Sequence, residues 1–432
     1  ISVKFYSTTN KKELVSLREA VTKGLAPDGG LYMPEEIMPL PSIHLSGLDK
    51  RSNPEIAFEV TRHFIGNDVP EKVIGKIVED TVSFEVPLIQ LADHIWSMEL
   101  FHGPTLAFKD FGARFMASLL GYFAQEEGDQ FTILVATSGD TGSAVAHGFH
   151  KVMGINVIVL YPSGKVSDLQ EKQFATLGDN ITALEVEGTF DDCQRLVKTA
   201  FGDKELRDKL NLTSANSINI ARLIPQSFYY FFAYARMDKN IPLVFSVPSG
   251  NFGNLTGGIF AQRMGLPIHH FIAATNTNDV VPQYLQTKIF EARPSVQTIS
   301  NAMDVGDPSN FTRLLDLFNH DYKLFSQAIT GFAFSDDDTR SAMKEVFRET
   351  GYTLDPHGAV GYLGMKKYWE VNKEVNGIFL ETAHPGKFKE VVEVVMANKV
   401  VLPERLSRLQ QMEKKSIKMS KSFSDFREYL IS

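Results

Sequence analysis

Lys109 sits in Phe101-His102-Gly103-Pro104-Thr105-Leu106-Ala107-Phe108-Lys109-Asp110, a mostly apolar run that starts a helix pattern. An ammonium held in a partly dry pocket loses hydration, and its pKa falls. The neutral amine can then attack a carbonyl and form a Schiff base, the chemistry of a lysine that carries pyridoxal phosphate (PLP). Taken alone, the run also suits a surface lysine at a helix start, its stem on apolar side chains and its head in water.

Three other segments bear on that choice. Ser249-Gly250-Asn251-Phe252-Gly253-Asn254 follows an apolar run of strand length, Ile241 to Val247, and precedes a helix pattern, Leu255 to Arg263. A Gly/Asn turn between strand and helix presents free N–H groups at a positive helix end and cradles a phosphate. It lacks the lysine and Ser/Thr of a P-loop, which argues against a nucleoside triphosphate. An ordinary strand-to-helix turn has the same pattern. Ala136-Thr137-Ser138-Gly139-Asp140-Thr141-Gly142-Ser143 also follows a strand-like run and opens a helix. Its hydroxyls and N–H groups suit a small carboxylate, or else Asp140 and Thr141 cap the helix. Gly377-Ile378-Phe379-Leu380-Glu381-Thr382-Ala383-His384-Pro385 reads as a buried strand ending in the hydroxyl of Thr382. In an open parallel sheet, ligands lie beyond the carboxyl ends of strands, where all these segments place polar groups.

The elements that position these residues alternate. From Phe131 onward the rhythm is strand, turn, helix, with further strands expected at Ile155 to Leu160, Ile181 to Val186 and Phe271 to Thr275. Ser167 starts a helix, with Gln170 as its capping-box partner. Alternation of this kind predicts an α/β fold with parallel sheets whose faces are covered. Residues 1 to about 95 read as mainly helical, with helices at Lys11 to Lys23 and Asn53 to Phe64. The expected division is 1–95, a helical amino-terminal domain; 96–225, a smaller α/β domain with Lys109; and 226–432, a larger α/β domain with the phosphate loop. The stretch 284–310 reads as a long functional loop, and the basic tail from Arg405 as a solvated helix.

The chain resembles the threonine synthase family, PLP enzymes of fold type II, which implies an α/β fold of two open, doubly wound parallel-sheet domains with a mainly helical N-terminal extension. The matching segments include DGGLYMPEEI (28–37), ELFHGPTLAFKDFG (99–112), TSGDTGSAVA (137–146), LTSANSINIARL (212–223), SVPSGNFGNLTGG (246–258), NAMDVGDPSN (301–310), DPHGAVGY (355–362) and ETAHPGKF (381–388). They span nearly the whole chain and match the branch with a long amino-terminal extension found in bacteria and fungi. The resemblance implies that Lys109 forms the Schiff base and shuttles protons. Gly250, Asn251, Phe252, Gly253 and Asn254 would hold the cofactor phosphate, Thr382 the pyridine nitrogen, and Asp140 would lie near the phenolic oxygen. Ser138 and Thr141 would grip the substrate carboxylate. Asn216, Ser217, Asn219 and Arg222 would meet the substrate phosphate. The spacing of 216, 219 and 222 lets them share one face of a helix. The implied reaction converts O-phospho-L-homoserine and water to L-threonine and phosphate. A phospho-lyase releasing 2-oxobutyrate on the same fold is the competing reading.

Composition fits an enzyme acting on a small molecule. The 432 residues are 43% hydrophobic and 22% charged, enough for two or three domains with a sizeable core. A net charge of −8 argues against nucleic acid or an anionic membrane as partner. No apolar run reaches membrane-spanning length and no signal peptide is evident, so a cytoplasmic protein is expected; the resemblance leaves monomer and homodimer both open. Cys193 is the only cysteine and reads as a buried small hydrophobe on an amphipathic helix. His102, His147, His357 and His384 lack zinc spacing, so no metal is expected.

Overall fold

The computed structural model describes residues 2–432. Two sheets dominate. The first has six strands in the order Ile329–Ala333, Ile268–Thr275, Leu243–Pro248, Asn376–Glu381, Ile95–Glu99 and Leu88–Ala92. All neighbours are parallel except the last pair, which is an antiparallel hairpin at the edge. The second has five strands, all parallel, in the order Ser416–Met419, Ile181–Val186, Ile155–Pro162, Phe131–Ala136 and Leu212–Thr213. Their central strands are buried along their length, as in Phe131–Ala136 and Leu243–Pro248, because helices cover both faces.

The amino-terminal region is mainly helical, as its pattern predicts, and adds one small sheet. Helix Asn53–Ile65 starts at Ser52, whose hydroxyl accepts from the Glu55 N–H while the Glu55 carboxylate accepts from the Ser52 N–H. The expected helix Lys11 to Lys23 is shorter. Leu14–Ser16 pairs antiparallel with Lys4–Ser7, and only Leu17–Lys23 is helical. Ser16 marks the boundary, since its hydroxyl caps the helix by accepting from the Glu19 N–H at 3.1 Å.

Strand membership crosses the expected domain boundaries. Leu88–Ala92 and Ile95–Glu99 complete the six-stranded sheet, and Ser416–Met419 extends the five-stranded one. The tail is therefore a short helix, Glu404–Leu409, an edge strand and a final helix, Phe423–Ile431, rather than one solvated helix. Phe426 packs against the helix Phe190–Gly202, which also buries Cys193 completely. Helix Val280–Thr287 takes the first residues of the expected loop. The rest is braced by Asn276, Asn278 and Thr298, all donating to Asp304.

Candidate active site

Lys109 is the first residue of helix Lys109–Glu127. The loop before it runs against the end of the central strand Asn376–Glu381. The Phe108 N–H donates to the Thr382 carbonyl at 2.8 Å, and the His384 N–H to the Leu106 carbonyl at 3.0 Å. These bonds set Lys109 beside Thr382, beyond the carboxyl end of the sheet. Lys109 Nζ donates to Thr141 Oγ1 at 3.0 Å. Burial pushes its ammonium down to about 8; Asp140 opposes that shift, while Arg222 and Lys387 add to it.

Thr141 and Asp140 open the helix Asp140–Phe149. Gly139 sits at φ 144°, and a Cβ there would lie 2.6 Å from the Gln170 amide, so only glycine fits this turn. The cap is Thr137, whose hydroxyl accepts from the Gly139 and Gly142 N–H groups at 2.9 and 2.8 Å. Asp140 and Thr141 are thereby left to face the site, and Ser138 is exposed at its mouth. Gln170 donates to Asp140 at 2.9 Å. Its side chain also accepts from the Ser167 hydroxyl, so the expected capping box forms only its Ser167 half. Burial pushes the Asp140 carboxyl upward, but Lys387 and Lys109 outweigh it and hold the group well below the usual carboxylate range.

The turn Ser249–Asn254 has the form expected of an anion cradle. Phe252 is left-handed at φ 61°, and no side chain caps the helix Gly253–Arg263 that follows. Among the described residues, the N–H groups of Gly250, Asn251, Phe252, Gly253 and Asn254 donate to no protein group. Asn254 braces the turn instead, donating to the Pro248 carbonyl at 2.8 Å. Asn251 donates to Ser217 Oγ at 2.6 Å and ties the turn to the segment 212–223.

That segment divides. Arg222 is buried, and burial brings its guanidinium down to about 10. It donates to the Ala215 carbonyl, while its Nε and the Asn216 Oδ1 have no protein partner. Gly112 makes room for it, since a Cβ there would lie 2.8 Å from Arg222 Nε. Asn219 is drawn away from such a role. Its carboxamide donates to the Val21 and Ser214 carbonyls at 2.8 and 3.2 Å and accepts from the Ala221 N–H, capping the short 3-10 turn Ile220–Arg222. Residues 216, 219 and 222 therefore share no helix face.

Sequence reasoning missed Lys387. It is 2% exposed, and its Nζ donates to Asp140 Oδ1 at 2.7 Å and to the Thr105 carbonyl at 2.8 Å. It also missed Asp110, which accepts from the Thr105 N–H and hydroxyl and is pushed by burial up to about 6. The sequence carries little signal for Lys387, since Lys389 and Glu390 follow it closely and make the segment look like an ordinary charged helix start.

A half-buried amine of lowered pKa, a hydroxyl at Thr382 and a run of free N–H groups suit a phosphorylated pyridine aldehyde. Comparison with known proteins agrees. The model of the pyridoxal-phosphate dependent enzymes matches residues 84–376, which makes this a PLP enzyme, and the fold is type II. Models of the threonine synthase N terminus and C-terminal region match 4–82 and 358–430. Threonine synthase from Serratia marcescens is 43% identical over 99% of both chains, and that from Escherichia coli 42% over the whole of both. A PLP-bound threonine synthase structure from Brucella melitensis superposes with a TM-score of 0.94 at 34% identity, over 99% of each chain. The chain belongs to the threonine synthase family.

Proposed function

We propose that the enzyme converts O-phospho-L-homoserine and water to L-threonine and inorganic phosphate, with the residue roles that follow. The observation that carries this reading is the half-buried Lys109 amine, hydrogen-bonded to Thr141 at the start of one helix, in a molecule whose turn 250–254 holds a run of free N–H groups. Bound PLP supplies an electron sink for the negative charge that develops on the substrate carbons.

The protein's own groups do the rest. Lys109 would hold the cofactor through Nζ, and with substrate bound its free Nζ would take the proton from Cα and move further protons at Cβ and Cγ. An amine near neutrality can accept and return a proton at similar cost, which suits that work. The Gly250–Asn254 N–H groups would hold the cofactor phosphate, Thr382 would meet the ring nitrogen, and Asp140 would lie on the side of the phenolic oxygen. Ser138 and Thr141 bind the substrate carboxylate at the start of helix Asp140–Phe149. Asn216, Ser217 and Arg222 face the substrate phosphate, where the Arg222 fork offsets charge on the leaving group. Asn219 serves this set only by shaping the turn that carries Arg222. Among the described residues no helix is long and apolar enough to cross a membrane. The reading makes the enzyme cytoplasmic, a monomer or homodimer without nucleic acid as partner.

Incubating the PLP-loaded protein with O-phospho-L-homoserine, and following the carbon skeleton by NMR beside phosphate release, tests the reading. Threonine with equimolar phosphate is expected. Phosphate with 2-oxobutyrate and no threonine would make the protein a phospho-lyase, and no phosphate at all would remove the substrate assignment.

A further inference from the structure

The steps above leave the Lys387–Asp140 ion pair without a task. Lys387 belongs to the turn Pro385–Phe388 that follows the central strand of the six-stranded sheet, whereas Asp140 opens a helix of the five-stranded sheet. Their side chains are 1% and 6% exposed and meet at 2.7 Å. The same carboxylate oxygen also accepts from Gln170 at 2.9 Å. Lys387 is anchored a second time, on the Thr105 carbonyl of the loop leading to Lys109. Lys109 donates to the neutral hydroxyl of Thr141 rather than to the neighbouring carboxylate.

We propose that Lys387 is a positioning residue that claims the Asp140 carboxylate, so that Lys109 keeps a hydroxyl partner and an uncharged, nucleophilic amine. The proposal rests on Lys109 being the cofactor lysine. A carboxylate free to pair with Lys109 would stabilise its ammonium and stop it attacking a carbonyl. The charged groups facing Lys109 are Asp140, Arg222 and Lys387. Asp110, next to it on its own helix, is tied to Thr105. Without the Lys387 charge, Asp140 has Lys109 as its nearest cation.

Competitive acetylation of the cofactor-free full chain, read at Lys109 by mass spectrometry across pH, tests this. Wild type should titrate with a midpoint near 8. Lys387→Met should raise that midpoint by about one unit or more and slow acetylation at about pH 8 roughly fivefold or more. Lys387→Arg, which keeps the charge, should restore it. The double variant D140N/K387M, which removes carboxylate and cation together, should bring the midpoint back to the wild-type value or below. Should Lys387→Met fail to fold, Lys387→Gln keeps a donor for Asp140 and Thr105 and carries the same expectation. A midpoint unchanged in the charge-removing variant overturns the proposal. Undiminished PLP capture by Lys109→Ala would instead overturn the assignment of Lys109 itself.

Discussion

Gly250→Ala should weaken PLP binding through a collision that can be located atom by atom. A Cβ on Gly250 would lie 2.8 Å from Met303 Cα and 2.9 Å from the Ala302 carbonyl oxygen. Ordinary contact begins at 3.4 Å, so one side must retreat by about 0.6 Å. Both obstacles are backbone, and the turn Asn301–Met303 is held from behind. The Met303 N–H donates to the Ser300 carbonyl at 3.0 Å, and the Ala302 N–H to His357 Nε2 at 3.2 Å, with His357 itself fixed on Asp355. Overpacking of this kind costs about 1–3 kcal/mol. If the phosphate turn yields rather than its neighbour, that cost appears as a roughly 5- to 150-fold loss of cofactor affinity. Gly253→Ala is the control. Its Cβ would meet the flexible ends of Leu223, Asn310 and Gln226 at 3.2 to 3.6 Å, and alanine favours the helix that starts there. A loss below about threefold is expected. Equilibrium dialysis of PLP against both variants gives the two constants, and thermal unfolding of the cofactor-free chains separates loss of fold from loss of binding. PLP affinity for Gly250→Ala within twofold of wild type would refute the placement of the cofactor phosphate on this turn.

Lys109→Ala should abolish turnover and leave the unfolding curve in place; threonine formation in that variant would sink the role given to its amine. Arg222→Ala should raise the apparent KM for phosphohomoserine far more than the PLP dissociation constant, and equal losses would make Arg222 a residue of the scaffold or cofactor. Asn219→Ala should lower stability by about 1–2 kcal/mol through the lost turn cap while sparing substrate affinity, with denaturant midpoints and KM measured side by side. Glu381 is buried, and that burial, with Asp355 and Glu99 nearby, pushes its carboxyl well above 4.5. The folded state then binds this proton more tightly than the unfolded chain, so stability is present below pH 4.5 and lost as pH rises toward the raised value. Glu381→Gln should flatten that decline in a Tm-against-pH series, and parallel curves would contradict the assignment.

Local chemistry made much of the site readable. Lys109, the Gly/Asn turn at 249–254 and the hydroxyl-rich turn at 137–143 each follow or open an element whose period is plain, and each falls where the pattern placed it. What escaped depends on long-range closure. Lys387 becomes a partner of Asp140 only because one sheet's terminal turn is pressed against a helix of the other, 247 positions away in the chain. Asn219 looked like a phosphate ligand because its neighbours do, and the carbonyl of Val21 that claims it lies in a helix far upstream. The tail failed for a different reason. Ser416–Met419 carries lysine and serine, as edge strands do, and that composition is shared with exposed helices.

That edge strand has a consequence for how the protein is made. Residues 416–419 are the last to join a sheet whose other strands end at residue 213. Until they emerge from the ribosome, Ile181–Val186 presents an unpaired row of backbone donors and acceptors, although the rest of its sheet is already complete. Synthesis of residues 214–415 intervenes. The chain must therefore pass through about half of its translation with Ile181–Val186 uncovered, until Ser416–Met419 takes over as the edge strand.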